Sequence, residues 1–354
     1  MKKILSLPHQ VYDYSCPING LMDHYEWKTG LRLPEYFIMD LSMFGFTYIR
    51  HIKAPAPRMV FWGTTTGKAQ HELLADVIGY RWTCSENTPF KSALKKACEA
   101  IDRNTPVILG MLDMYHLPYY EKFYHRYHVP QHYVQMVGYD HDREIVFVMD
   151  NSRTDIQSVP YADLQGAWNI NNPGQGRKNT LFIIELNDNP AGLFEIAKKG
   201  LKKKAEWMLQ PPVGLLGLSG MRKFGKDYPN WFKDLNQNQL DASLRHLVTF
   251  TCSVVPMLPQ SLLPYKIDYF DPHQAVRDRF GRNLYDLGKQ FEVPSWIQAA
   301  EWFQQSGQLI GELTDAAVKS LKEEISQETS LMLIPDLMNG IIELEEKAFR
   351  QFVD

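Results

Sequence analysis

The hydrophobic pattern of the chain changes near residue 187, and this change is the strongest constraint on its fold. Before it, short apolar runs bounded by turn residues alternate with segments of helical spacing. Strands are predicted at residues 105–113, 131–140, 144–150 and 179–186. After it, the apolar residues recur only at helical spacing, and prolines separate the segments. We therefore expect an α+β domain over residues 1–188 with an antiparallel sheet, followed by an all-helical domain over residues 189–354.

Two helices and a hairpin are predicted within the first domain. Pro17 stands at a first-turn position ahead of a run with helical spacing. A second helix is predicted from Pro89, with Thr88 as its N-cap. Strands 131–140 and 144–150 are separated only by polar turn residues, so they should pair as an antiparallel hairpin.

Composition and charge exclude several classes of protein. A formal net charge of −3 with 22% charged residues argues against a nucleic-acid-binding protein. The chain contains no apolar run long enough for a transmembrane helix, and Pro8 interrupts an N-terminal apolar stretch too short for a signal peptide. The cysteines form no CxxC pair, which argues against a disulfide framework or a structural zinc site. They are Cys16, Cys84, Cys98 and Cys252. These features predict a soluble, cytoplasmic protein that binds neither nucleic acid nor membrane.

Cys16 is a candidate nucleophile because of its place beside Pro17. A cysteine at a helix start experiences the partial positive charge of the helix N-terminus, which favours the thiolate over the thiol. The thiolate is the nucleophilic form. A small buried side chain without function is the alternative interpretation of a single cysteine.

A base and an orienting acid can be assigned from the predicted hairpin. His132 begins its first strand and Asp150 ends its second. Antiparallel pairing places the start of one strand near the end of the other, so these two side chains should be neighbours. A carboxylate on one imidazole nitrogen would leave the other nitrogen for the thiol, which gives a triad of Cys16, His132 and Asp150. A core histidine and a turn aspartate are the alternatives for each residue alone.

Gln10 is the candidate oxyanion donor. It lies one short loop upstream of Cys16. Its amide and the Cys16 backbone N–H could both point at a developing oxyanion. A solvent-exposed glutamine is the alternative.

Asp113 and the tyrosines after it form a possible substrate-binding loop. Asp113 ends the strand at 105–113, and Tyr115 and Tyr119 follow. A carboxylate beside aromatic rings could hold an ammonium group. A turn-capping aspartate is the alternative.

Three histidines in "HRYHVPQH" raise the question of a metal site. His125, His128 and His132 lack an obvious fourth ligand, and Pro130 would break a helix carrying all three. We therefore predict no metal.

The segments that carry these residues resemble a known family. The order of glutamine, cysteine, histidine and acid is similar to the papain-type arrangement, with an aspartate where papain has asparagine, as in bacteriocin-processing peptidases. The flanks "SCPI" depart from the papain cysteine signature. The chain more closely resembles the butirosin biosynthesis protein H family. The resembling segments are "SCPINGLMDHY", "PVILGMLDMYHLPYYEKFY", "HYVQMVGYD", "VFVMDN", "GLLGLSGMRKFGKDYPNWF" and "AAEWFQQSGQLIGELTDAAV".

The resemblance implies a papain-like fold and an acyltransferase that forms amides. The acyl group would pass from the phosphopantetheine thioester of an acyl or peptidyl carrier protein to Cys16, and then to a small amine. No cofactor bound by the protein itself is implied. Similar proteins include papain-like amide synthases of thiotemplated peptide pathways, such as the one that makes closthioamide. Two other functions stay open: an intracellular papain-like cysteine peptidase or thioesterase, and a non-catalytic binding module of the same fold.

A basic run on a predicted helix could receive the carrier protein. Carrier proteins are typically acidic, and this run contains Lys199, Lys202 and Lys203. Opposite charges would steer the two proteins together. A solvated helix face is the alternative.

Overall fold

The computed structural model describes residues 1–12, 16–63, 67–171, 176–251 and 276–353. The strands in these ranges are β1 (Lys2–Ile4), β2 (Phe44–Arg50), β3 (Arg58–Gly63), β4 (Tyr80–Ser85), β5 (Val107–Leu112), β6 (His132–Asp140), β7 (Ile145–Met149), β8 (Gln157–Pro160) and β9 (Leu181–Leu186). The helices are α1 (Cys16–Thr29), α2 (Glu35–Met43), α3 (Gly67–Leu74), α4 (Phe90–Asp102), α5 (Tyr161–Trp168), α6 (Leu193–Leu209), α7 (Gly217–Asp234), α8 (Gln237–Thr251), α9 (Val276–Gln290), α10 (Pro294–Leu321) and α11 (Gln327–Arg350). The predicted α+β class is confirmed.

Contacts between residues divide the chain into two units. The first contains Met1–Ser42 and Thr65–Ile196, and the second contains Met43–Thr64 and Ala197–Asp354. The sequence-based division between residues 188 and 189 places all of residues 1–188 in one domain. The contacts instead assign the β2–β3 hairpin to the second unit.

The first unit is built on an antiparallel sheet with the strand order β4-β9-β5-β6-β7-β8. β1 pairs with the end of β6, from Lys2 opposite Asp140 to Ile4 opposite Gly138. Every residue of β5 and β7 is buried. This burial explains why these strands appear in the sequence as continuous apolar runs rather than as alternating ones.

The predicted hairpin is present as β6 and β7. Gln135 lies opposite Met149, and Asp140 lies opposite Ile145. The turn after Asp140 is stabilised by its own side chain, whose Oδ1 accepts the backbone N–H groups of Asp142 and Arg143. This short turn sets the register that brings the two far ends of the hairpin together.

The N-terminus of α4 differs from the prediction. Pro89, rather than Thr88, is the N-cap, and no side chain caps the helix. The Pro89 carbonyl accepts the N–H groups of Ser92 and Ala93, while the Thr88 hydroxyl bonds the hydroxyl of Ser85. Thr88 is therefore one residue too early to serve as the cap.

The second unit combines the β2–β3 hairpin with helices, and a buried ion pair joins them. Arg277 in α9 and Glu345 in α11 have fully buried side chains, and their Nε and Oε1 atoms lie 2.8 Å apart. Arg277 also donates to the carbonyls of Trp62 and Gly45. These bonds anchor the hairpin within this unit. None of the described helices is both long and apolar enough to cross a membrane.

Candidate active site

Cys16 is the first residue of α1, as predicted, and its side chain is half-buried. The described cysteines, Cys16, Cys84 and Cys98, are all free thiols, whereas Cys252 lies outside the described residues. Burial raises the pKa of Cys84 to about 11 and the pKa of Cys98 to about 12, which keeps both protonated at neutral pH.

The structure brings together the three residues of the predicted triad. His132 begins β6 and Asp150 directly follows β7, so the hairpin register makes them neighbours. Their Nε2 and Oδ2 atoms lie 2.6 Å apart, and both side chains are almost completely buried. Cys16 also interacts with this imidazole, and the interaction raises the pKa of His132.

The charges of this cluster favour an ionised pair. Burial alone would lower the pKa of His132, but the Asp150 carboxylate and the hydrogen bonds to Asp150 and Cys16 raise the pKa above its ordinary value. Burial alone would raise the pKa of Asp150, but the His132 charge and the donors around the carboxylate hold the pKa below its usual range. The imidazolium and the carboxylate therefore stabilise each other.

Two tyrosine hydroxyls complete the surroundings of the Asp150 carboxylate. Tyr119 donates to Oδ2 at 2.8 Å, and Tyr120 donates to Oδ1 at 2.8 Å. The Tyr120 oxygen also lies 2.7 Å from the Ser152 hydroxyl. Burial and the nearby carboxylate raise the pKa of both tyrosines, so both stay protonated as donors. The Tyr119 hydroxyl thus faces Asp150, and a role of Tyr119 toward substrate stays a prediction.

The turn that follows β7 donates two further hydrogen bonds to the Asp150 carboxylate. Oδ1 of Asp150 accepts the backbone N–H of Ser152 at 3.1 Å and its hydroxyl at 3.0 Å. Asp150 is thus a turn residue and the partner of His132 at once. The sequence "DNS" could have predicted the bond from the Ser152 backbone N–H, since an aspartate commonly accepts the backbone N–H two residues on.

Gln10 lies beside the first turns of α1. Its backbone carbonyl accepts from Nδ2 of Asn19 at 3.0 Å, and its side-chain Oε1 accepts from the Tyr12 hydroxyl at 3.4 Å. The Gln10 side chain is exposed. With the amide oxygen directed to Tyr12, the amide NH₂ is the group available to a substrate. Residues 13–15 lie outside the described residues, and the oxyanion role of Gln10 stays a prediction.

His9 is part of the same region and was not predicted. Its Nδ1 lies 2.6 Å from Oδ2 of Asp23, which is buried in α1. Its Nε2 lies 2.8 Å from the carbonyl of Arg153, in the turn after Asp150. No local sequence pattern joins residues this far apart along the chain.

The contacts of Asp113 are those of a turn cap. Its carboxylate accepts the backbone N–H groups of Tyr115 and Val129 and lies 2.6 Å from Nδ1 of His128. The Tyr115 ring stacks on His128 with centroids 4.1 Å apart. These bonds hold together the two ends of the loop between β5 and β6. A role of Asp113 and Tyr115 toward substrate stays a prediction.

The three histidines considered for a metal take separate partners. His132 bonds Asp150, His128 bonds Asp113, and the ring of His125 stacks on Tyr124. Over the ranges that the structure describes, no group of three or more metal-ligating side chains is arranged to hold an ion.

The predicted docking lysines lie on α6. Lys199 and Lys202 are exposed, and Lys203 is half-buried. Lys204, which continues the same run, is buried instead. Burial and the charge of Arg277 lower the pKa of Lys204 to about 7.

Comparison with known families matches two regions of the chain. The model described as "Butirosin biosynthesis protein H, N-terminal" matches residues 15–151, which include Cys16, His132 and Asp150. A "Domain of unknown function (DUF4872)" matches residues 162–252. No curated protein matches the chain. Residues 15–151 therefore belong to the family of the butirosin biosynthesis protein H N-terminal domain.

Proposed function

We propose that this protein is a cysteine-dependent acyltransferase that forms amides from carrier-bound thioesters. The match of residues 15–151 to the N-terminal domain of butirosin biosynthesis protein H supports the acyltransferase role. The observation that carries the assignment of the nucleophile is the hydrogen-bonded pair of His132 and Asp150, whose imidazole also interacts with Cys16. A nucleophile, a base and an orienting acid in contact are what covalent acyl transfer requires.

In the first half-reaction, the Cys16 thiolate attacks the carbonyl carbon of the donor thioester. The N-terminus of α1 and the His132 imidazolium stabilise the thiolate before attack. The carbonyl oxygen becomes an oxyanion, toward which the Gln10 amide and the Cys16 N–H donate. The bond between the carbonyl carbon and the donor sulfur then breaks. The leaving thiolate takes the proton of His132, which leaves acyl-Cys16 and a neutral imidazole.

In the second half-reaction, an amine attacks the acyl-Cys16 carbonyl. His132 accepts the proton that the amine loses, while Asp150 stabilises the imidazolium that forms. The bond to the Cys16 sulfur breaks and releases the amide. The thiolate and the imidazolium are restored together, so the cycle balances without ATP or a redox partner.

The proposed donor is an acyl or peptidyl carrier protein, and the acceptor is a small amine. The thioester of a phosphopantetheine arm supplies the activated acyl group. The exposed lysines Lys199 and Lys202, with Lys203, offer positive charge to an acidic carrier. Water in place of the amine would make the same site a thioesterase or a peptidase, so the acceptor is the point to be tested.

The test is intact-mass analysis after incubation with an acyl-pantetheine thioester, with and without an amine. We expect an adduct of one acyl group on the wild type, its loss in Cys16→Ala, and release of amide when amine is added. Cys84→Ala is the matched control, since Cys84 is another half-buried free thiol, and it should keep the adduct. Release of free acid despite added amine would favour the hydrolase. Absence of any adduct from carrier-bound and pantetheine thioesters would favour the binding module.

A further inference from the structure

A second buried histidine–carboxylate pair lies in the first unit beside the proposed triad. Nδ1 of His9 and Oδ2 of Asp23 are 2.6 Å apart, and their side chains are 7% and 0% exposed. Asp23 belongs to α1, the helix that begins at Cys16. One nitrogen of His9 is therefore bound to the nucleophile helix.

The other nitrogen of His9 faces the turn that carries the Asp150 carboxylate. Nε2 lies 2.8 Å from the carbonyl oxygen of Arg153 and 3.2 Å from the carbonyl oxygen of Asp150. A carbonyl and a carboxylate are acceptors only, so both nitrogens of His9 must donate. His9 is therefore an imidazolium. Burial alone would lower its pKa, but the hydrogen bond and charge of Asp23, with the two carbonyls, raise the pKa.

The charges around this imidazolium are compensated. Arg32 donates to the other oxygen of Asp23 at 2.7 Å, and also to Glu26 and Glu35. The Arg153 guanidinium is directed away from His9, since it donates to the carbonyls of Ser152 and Tyr119. Asp23 is thus the carboxylate that faces His9, and it holds cations on both of its oxygens.

The segment around His9 also carries Gln10. Asn19 in α1 donates to the Gln10 carbonyl at 3.0 Å. Two residues on, Tyr12 exchanges two hydrogen bonds with Asn151: its N–H donates to the Asn151 carbonyl, and its carbonyl accepts from the Asn151 amide. The segment therefore contacts α1, which begins at Cys16, and the turn that follows Asp150. His9 forms hydrogen bonds with both.

We propose that His9, held as an imidazolium, is a positioning residue of the acyl-transfer site, because it ties the Cys16 helix and the Gln10 segment to the turn of Asp150. This role rests on the proposed function of the triad. His9 forms one hydrogen bond to Asp23 and another to the turn after Asp150. Together these two bonds set the separation between the helix of Cys16 and the turn of Asp150. Sub-ångström placement of reacting groups is worth large factors in rate.

Two substitutions separate the two bonds of His9. In His9→Asn the amide nitrogen lies near the position of Nδ1, so the bond to Asp23 is retained and the bond to the turn is lost. In His9→Gln the amide nitrogen reaches the position of Nε2, so the bond to the turn is retained. We expect kcat to fall on the order of 10- to 100-fold in His9→Asn, the range known for loss of hydrogen-bonding partners that orient metal ligands, with a smaller loss in His9→Gln and little change in KM.

A readout without acyl substrate is the rate of Cys16 alkylation by iodoacetamide as a function of pH. Its alkaline inflection reports loss of the His132 proton. In His9→Asn a displaced Asp150 stabilises that proton less, so the inflection should move to lower pH, while His9→Gln stays closer to wild type. His141→Gln, at an exposed histidine in the β6–β7 turn, should match wild type in every measurement.

The outcomes are distinct. A His9→Asn variant with wild-type kcat and alkylation profile overturns the proposal. So does a variant that loses thermal stability while its alkylation profile stays as in wild type, because His9 would then only support the fold.

Nitrogen-15 NMR of the wild type tests the protonation directly, and a His9 ring with one unprotonated nitrogen at pH 7.5 overturns the proposal even where a variant does not fold. If the wild type shows the inflection but transfers no acyl group, the proposed function fails and the positioning role is still decided by alkylation.

Discussion

Nε2 of His132 lies 2.6 Å from Oδ2 of Asp150, and both side chains are buried away from water. The imidazole also interacts with Cys16. In this environment a charge is costly unless an opposite charge compensates it. The Asp150 carboxylate therefore sets the pH range over which His132 is an imidazolium. The proposed ion pair with Cys16 exists over the same range.

Asp150→Asn should move the alkaline limb of the pH–rate profile to lower pH. In the wild type, the carboxylate raises the pKa of His132 against the effect of burial. The amide is neutral, so burial is opposed only by the interaction with Cys16, and the imidazolium is lost at a lower pH. The measurement is kcat/KM for a pantetheine thioester across pH. Asp142→Asn is the control, because Asp142 is an exposed carboxylate of the same hairpin. An unchanged alkaline limb in Asp150→Asn would contradict the electrostatic assignment.

His132→Ala should reduce the rate of acyl transfer by about two to four orders of magnitude, the usual contribution of a general acid–base. Added imidazole should restore part of the activity if the vacated space admits it. The raised pKa of His132 also stabilises the fold below its ordinary pKa, and this contribution is lost as pH rises through the raised value. The free energy of unfolding of the wild type should therefore fall at alkaline pH more than that of His132→Ala. Parallel curves for the two proteins would argue against the charged pair.

Tyr120→Phe should reduce kcat more than Tyr119→Phe. Each hydroxyl donates to one oxygen of Asp150, but that of Tyr120 also contacts Ser152 and lies 3.3 Å from Nε2 of His132. A hydrogen bond to a charged group is worth about 1.5–3 kcal/mol, so each substitution should cost roughly 10- to 100-fold. Tyr127→Phe is the control, since Tyr127 is exposed in the same loop. Wild-type kcat in both variants would mean that the tyrosines support only the fold.

Reversing the charge at Lys199, Lys202 and Lys203 should raise KM for a carrier-protein substrate and leave KM for a pantetheine thioester unchanged. The lysines would act through long-range attraction of an acidic partner rather than at the reacting atoms. The effect should shrink at high salt, because salt screens exposed charges. The steady-state kinetics of the triple Lys→Glu variant with both substrates test this. Equal effects on the two substrates would contradict docking at this face.

Glu345→Gln should lower the free energy of unfolding of the second unit by about 3–5 kcal/mol, because it leaves the Arg277 charge buried without its carboxylate. The double variant Arg277→Met with Glu345→Leu should recover much of that loss. The matched control is Glu346→Gln, which breaks the partly exposed pair with Arg222 and should cost about 1 kcal/mol or less. Chemical denaturation measures all three. Equal losses for Glu345→Gln and Glu346→Gln would contradict the energetic role of burial.

The parts of the site that local pattern predicts are those set by a short stretch of chain. Pro17 marks the start of α1, which places Cys16 at a helix N-terminus. The apolar runs of β6 and β7 with the turn after Asp140 predict a hairpin, and the hairpin alone places His132 beside Asp150. Each of these inferences uses residues close together in sequence, where propensity and periodicity are informative.

Contacts between distant segments could not be predicted in this way. The bonds of Tyr119 and Tyr120 to Asp150 depend on how the loop before β6 folds back, and that loop has no period. His9 meets Asp23 and Arg153 through three separate segments. The prediction of Thr88 as the N-cap of α4 was wrong. The start of this helix depends on which carbonyl accepts the first N–H groups of the helix, and that carbonyl belongs to Pro89.

The sequence by itself determined the α+β class, the strands β5, β6, β7 and β9 with helices α1 and α4, and the proximity of His132 to Asp150, because hydrophobic period and turn chemistry are local properties. The tertiary structure alone decided that segment 43–64 belongs with the second unit, where buried Arg277 binds its carbonyls. It also decided that His9 is an imidazolium, since the protonation of a buried group is set by whichever acceptors the fold places around it.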